Sequence, residues 1–82
     1  MQKQLEDLHI QALGELGKVS KLKELELWRI RYLGKKSKLT QILRSLATLP
    51  LEERRSIGAQ ANAIKRALES DLVEKKKILE ET

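Results

Sequence analysis

Eight cations, Lys35, Lys36, Lys38, Arg44, Arg54, Arg55, Lys65 and Arg66, crowd the middle of this 82-residue chain. Lysine and arginine at this density can hold phosphate oxygens, which gives affinity that ignores base sequence and responds to salt. Widening the window to residues 29–66 adds Arg29 and Arg31 but only two acids, Glu52 and Glu53, so the segment carries +8. Residues 1–28 carry −1 and residues 67–82 carry −2, leaving the chain at +5. The usual meaning of such charge is a solvated helix face that keeps a protein soluble. So few acids over so long a stretch point instead to a surface that binds a polyanion.

Other chemistry is poorly supplied. There is no Cys and one His, His9, so neither thiolate nor multi-histidine metal sites can form. Ser37 and Ser56 have no accompanying base, and Glu52-Glu53 is the acid pair that a helix N-terminus favours. No nucleophile, acid–base pair or phosphate-cradling glycine loop can be assembled, so catalytic and metal-binding residues are expected to be absent. The aromatic residues are only Trp28 and Tyr32, four apart. They read better as packing at the base of a bundle than as a stacking platform for bases. With no zinc or recognition-helix motif either, binding through shape and backbone is favoured over base readout.

The elements that must carry these cations are helices. Leu5, Leu8, Ala12 and Leu16 recur at helical spacing over 3–16, and Gly17 is placed to end that helix in a left-handed turn. Ser20 is a candidate N-cap for a second helix over 20–47. Along it Leu22, Leu25, Arg29, Tyr32, Lys36, Leu39, Leu43 and Leu46 step by three and four, a heptad seam with two basic positions. Gly34 and those basic positions predict a kink or break near 34–37, with Ser37 able to cap a restarted helix. Thr48-Leu49-Pro50 predicts a turn at 48–50, and a return helix follows over 50–80 with the stripe Ile57, Ala61, Ile64, Leu68, Leu72 and Leu79. A connection this short makes the two long helices antiparallel. Leu27, Trp28 and Ile30 lie off the seam, so the first helix is expected to cover them, making the base three helices thick and the turn end two. The expected fold is therefore all-α: an antiparallel helical hairpin, a coiled coil, with a short N-terminal helix packed at its base, forming a single domain over 1–82. No apolar run reaches the ~20 residues that span a bilayer, and MQKQLEDL lacks a signal-peptide core, so a soluble intracellular protein is expected.

The stretch RIRYLGKKSKLTQILRSLATLPLEERRSIGAQANAIKRALE, residues 29–69, resembles the N-terminal arm of the bacterial-type phenylalanyl-tRNA synthetase α subunit. That family reads Tyr-Leu-Gly-Lys-Lys-Gly, then Leu-Thr, then Leu-Pro-x-Glu-Glu-Arg, a Gly, and an Asn ahead of a Lys. The counterparts here are Tyr32-Leu33-Gly34-Lys35-Lys36-Ser37, Leu39-Thr40, Leu49-Pro50-Leu51-Glu52-Glu53-Arg54, Gly58, and Asn62 ahead of Lys65. Ser37 stands where the family usually has Gly.

The resemblance implies an arm that binds tRNA(Phe) near the outer elbow, and the basic cluster, Lys35, Lys36, Lys38, Arg44, Arg54, Arg55, Lys65 and Arg66, is expected to supply the contacts to its sugar-phosphate backbone. It implies a cytoplasmic enzyme built as an (αβ)₂ heterotetramer, so a β subunit is an expected partner and a membrane is not. It places the ATP, Mg²⁺ and phenylalanine sites in a catalytic domain that follows the arm, so these residues are expected to hold no cofactor and to catalyse nothing by themselves. The rival expectation is a coiled-coil protein-interaction module whose basic end meets an acidic protein. A membrane-surface helix is disfavoured, because the apolar faces are needed for internal packing.

Overall fold

The computed structural model of this chain describes residues 2–81. Those residues form four α-helices: α1 (Gln2–Lys18), α2 (Leu22–Leu33), α3 (Lys38–Ser45) and α4 (Leu51–Glu81), with a 3₁₀ turn, Leu46–Thr48, between α3 and α4. α2 and α3 form one side of a helical hairpin and α4 the other, while α1 packs against all three. The bundle measures 47 × 18 × 16 Å. At ~1.5 Å per residue, 31-residue α4 alone accounts for that length. None of the described helices is long and apolar enough to cross a membrane.

The core follows the predicted stripes on α1 and α4. Leu5, Leu8, Ala12 and Leu16 of α1 are buried with Ile57, Ala61, Ile64 and Leu68 of α4, and Leu72 and Leu79 pack at its edge. Leu25, Trp28 and Tyr32 of α2 and Leu39 of α3 complete it. The heptad seam survives in part. The chain leaves the helix between Leu33 and Lys38, yet Leu25, Tyr32 and Leu39, seven residues apart, stay buried across the break. Leu43 and Leu46 pack against the core, while Leu22, Arg29 and Lys36 lie exposed. α1 also covers less of α2 than the sequence suggested. It sits over Trp28 and Tyr32, leaves Ile30 53% exposed, and leaves Leu27 60% exposed at the rim of a groove it shares with Glu15, Lys18 and Val19. Toward the turn it reaches further than the base, since Asp7, Leu8 and Gln11 share a groove with Lys38, Gln41, Ile42 and Ser45.

Several local expectations are changed by the geometry. α1 runs through Gly17 to Lys18, and no glycine among the described residues has positive φ, so no left-handed residue ends that helix. The N-cap of α2 is Lys21, while the Ser20 hydroxyl, one residue too early, donates to Glu24 Oε1 at 3.0 Å. Ser37 does cap α3, accepting the Thr40 N–H at 3.2 Å. Gly34 ends α2 in extended conformation, its N–H donating to Ile30 O at 3.1 Å. A Cβ there would collide with the same Ile30 carbonyl oxygen, so glycine is required by space rather than by φ.

The glycines therefore separate. Gly34→Ala is expected to lower the melting temperature of the chain, because backbone must shift to admit the methyl. Gly14→Ala, mid-helix with nothing within 4 Å of the added Cβ, should raise stability by about 0.5–1 kcal/mol. Thermal unfolding followed by circular dichroism measures both.

Candidate nucleic-acid interface

Burial assigns roles to the groups that could act. Trp28 and Tyr32 are 4% and 3% exposed, which removes both rings as external stacking surfaces. Their centroids are 5.5 Å apart and the rings are tilted by 45°, a packed aromatic pair. Trp28 Nε1–H donates to the Ala12 carbonyl at 2.9 Å, and the Tyr32 hydroxyl donates to Glu15 Oε2. Arg31 Nη1 reaches both oxygens of that carboxylate at 3.3 Å. Together they lock α1 onto α2. Sequence reasoning placed the aromatic residues at the base but gave no role to Glu15 or Arg31, whose partners lie 16 or 17 residues away. Burial, reinforced by the neighbouring Glu15 carboxylate, pushes the Tyr32 phenol up to about 12. At the edge of α2, Arg29 hydrogen-bonds Glu26 and holds its carboxyl below the usual range, with a weaker pull from Lys76 of α4.

Each of the eight predicted contact residues is exposed, but they do not form one flat site. Lys35 and Lys36 stand on the four-residue connection between α2 and α3. Lys38 opens α3 and lines a 410 Å³ groove that Asp7 also lines. Arg44 is in the last turn of α3, away from the buried Leu39. Arg55 and Arg66, eleven residues or about three turns apart, share the side of α4 opposite its buried stripe. Lys65 borders that side. None of these seven has an acidic partner among the described residues, where the only side-chain ion pairs are Arg29–Glu26 and Arg31–Glu15.

Arg54 is different. Its Nε–H donates to Leu46 O at 3.1 Å, and Nη2 donates to Leu49 O at 3.1 Å and to Ala47 O at 3.4 Å. These carbonyls come from the 3₁₀ turn and the residue after it, where backbone acceptors lack helical partners and a cation is favoured. Arg54 therefore closes the hairpin turn. Its place one turn inside α4 was the only hint of this in the sequence. Gly58 of α4 packs against the same turn, where a Cβ would lie 3.4 Å from Leu46 Cδ1.

No group of three or more His, Cys, Asp or Glu that could hold a metal ion occurs among the described residues. His9 lies half-buried along a groove between α1 and α4, beside Glu6, Gln60 and Ile64. The surface carries seven exposed cations without an acidic partner among the described residues, held on a bundle of packed helices.

Known proteins give a consistent comparison. Residues 20–82 match the family described as aminoacyl tRNA synthetase class II, N-terminal domain. The chain is 52% identical over 79 residues to the phenylalanine--tRNA ligase alpha subunit of Dehalococcoides mccartyi, covering 96% of this chain and 23% of the relative. It is 42% identical over 81 residues to the subunit of the same name from Geobacillus kaustophilus, covering 99% of this chain and 24% of that protein. For Thermotoga neapolitana the identity is 40% over 77 residues, with 94% and 24% covered. The chain thus spans about a quarter of the length of these relatives. α1 lies outside the family segment, yet the alignments to these relatives take in most of the chain. No solved structure matches the chain.

The raised Tyr32 pKa has a definite sign. The folded state holds the phenolic proton more tightly than the unfolded chain, where tyrosine titrates near 10. This contribution to stability is complete below pH ~10 and is lost as pH rises toward about 12. Tyrosinate absorbance should show a midpoint well above that of free tyrosine, and Glu15→Gln should bring it down.

Proposed function

We propose, on the premise that this chain belongs to the class II aminoacyl-tRNA synthetase N-terminal domain family, that it is a tRNA-holding arm of a phenylalanine--tRNA ligase alpha subunit. The observation that carries this reading is the set of exposed cations on α3, α4 and the α2–α3 connection, none with an acidic partner among the described residues. Lys35, Lys36, Lys38, Arg44, Arg55, Lys65 and Arg66 would contact the sugar-phosphate backbone of tRNA(Phe). Arg54 would support them by holding the turn. Held this way, the tRNA is ordered before its 3′ end is charged, and such pre-ordering lowers the barrier to reaction. The arm performs no bond-making step itself. ATP, Mg²⁺ and phenylalanine would act in other parts of the enzyme, and a β subunit would complete an (αβ)₂ assembly.

Exposed Leu27 and Ile30 favour a second reading, a protein-interaction module, with an acidic protein as the partner of the basic end. One titration separates the two. Fluorescence anisotropy of the chain with tRNA(Phe) should show binding that weakens steeply between ~50 and ~200 mM salt. The variant K35A/K36A/R55A/R66A should bind several-fold more weakly and respond less to salt. If tRNA(Phe) binding is absent at low salt, or is the same in the variant, the arm reading fails and the protein-interaction reading takes its place.

A further inference from the structure

We infer that the RNA backbone is gripped mainly on the flank of the bundle, at the break between α2 and α3, with Arg55 at the hairpin tip a minor contact; this rests on the tRNA-holding role proposed above. The linear charge count merges two regions that the fold separates. Residues 34–45 hold Lys35, Lys36, Lys38 and Arg44 and no acid. The tip, residues 46–55, holds Glu52, Glu53, Arg54 and Arg55 and is neutral overall. The Arg54 guanidinium there is occupied by the carbonyls of Leu46, Ala47 and Leu49.

The packing adds charge to the break. Glu26 of α2 feels Lys76 of α4, and Leu46 meets Gly58. That antiparallel register places Lys65 of α4 level with residues 36–39 across the hairpin, while Arg66, at the same height, lies on the opposite side of α4. From residue 55 to residue 65 α4 rises ~15 Å, about twice the screening length of ~8 Å at physiological salt. The tip and the break therefore present separate fields, and the break is the basic one. Within it, Lys38 shares its groove with Asp7 of α1, so Lys35 and Lys36 are the less compensated pair.

The break is also rigid. The Ser37 N–H donates to Gly34 O at 3.1 Å, and Thr40 Oγ1–H donates to the same carbonyl at 2.8 Å. The Ser37 hydroxyl donates to Thr40 Oγ1 at 3.0 Å and accepts the Thr40 N–H at 3.2 Å. The Gln41 side-chain amide donates to Lys36 O at 3.2 Å. Gly34, with no space for a Cβ, fixes the entry to this knot. Ser37 is 5% exposed, so water does not compete freely for its hydroxyl. Two lysines are thus carried on a pre-ordered loop, and a polyanion bound there loses less entropy in ordering the protein. Thr40, through its two side-chain bonds, is the positioning residue of the loop.

Titration of the chain with tRNA(Phe) at several salt concentrations, below the melting temperature of each variant, tests this. K35A/K36A is expected to weaken binding at least fivefold and to lower the slope of log affinity against log salt by ~1–2, as for one or two lost phosphate contacts. R55A at the tip should cost twofold or less. Thr40→Val leaves the charge unchanged, so it should weaken binding about threefold with an unchanged slope, and Thr40→Ser should restore it. Equal losses for R55A and K35A/K36A, or full affinity in Thr40→Val, would overturn the flank assignment while leaving the arm reading standing. Loss of salt dependence in none of the cation variants would remove the arm reading itself.

Discussion

The stripe of Ile57, Ala61, Ile64 and Leu68 on α4 is where α1, α2 and α3 all find their partner, and the arrangement of every other group follows from it. A single long helix is only marginally stable in water, because its stability comes mostly from packing an apolar face. α4 supplies one such face along its length. α1 lays Leu5, Leu8, Ala12 and Leu16 on one side of it, and the α2–α3 limb lays Leu25, Trp28, Tyr32 and Leu39 on the other. Leu5, Leu39 and Leu68, from three different helices, are the largest fully buried side chains. With the apolar faces consumed this way, the cations between residues 35 and 66 have nowhere to go but outward.

Outward placement alone would leave those charges spread around a rod. Two further features sort them. Near the base, Glu26 and Glu15 engage Arg29 and Arg31, so the first two cations of the basic segment are compensated. At the tip, the Arg54 guanidinium is taken up by the carbonyls of Leu46, Ala47 and Leu49, beside Glu52 and Glu53 in the first turn of α4. What remains uncompensated is the flank between them. The interruption of the α2–α3 limb, which a continuous coiled coil would not contain, displays two of its lysines on a hydrogen-bonded loop.

α1 couples these regions. Its C-terminal half is tied to α2 through the Trp28–Ala12 bond and the Glu15 carboxylate, and its N-terminal half lies along α3. It therefore backs the break from behind while bringing Asp7 beside Lys38. Among its exposed apolar residues the fold accepts Ile30, because one helix docked over Trp28 cannot also reach the far side of α2.

The sequence by itself determined the helices, the turn at Pro50, the stripes of α1 and α4, the Ser37 cap and the concentration of positive charge. All of these rest on interactions within a turn or two of one helix, so local spacing reports them. It also brought out the Gly-Lys-Lys-Ser segment as a break or a kink, without distinguishing the two. Only the tertiary structure decided which of the cations are available. Whether Arg54 meets an anion or the carbonyl of Leu46, and whether Trp28 faces Ala12 or water, depends on residues brought together by packing rather than by sequence spacing. The heptad seam held only in part for the same reason: spacing marks a stripe, but packing decides which of its positions are covered. Leu25, Tyr32 and Leu39 enter the core on both sides of the knot at Gly34, Ser37 and Thr40, while Leu22, Arg29 and Lys36 stay exposed.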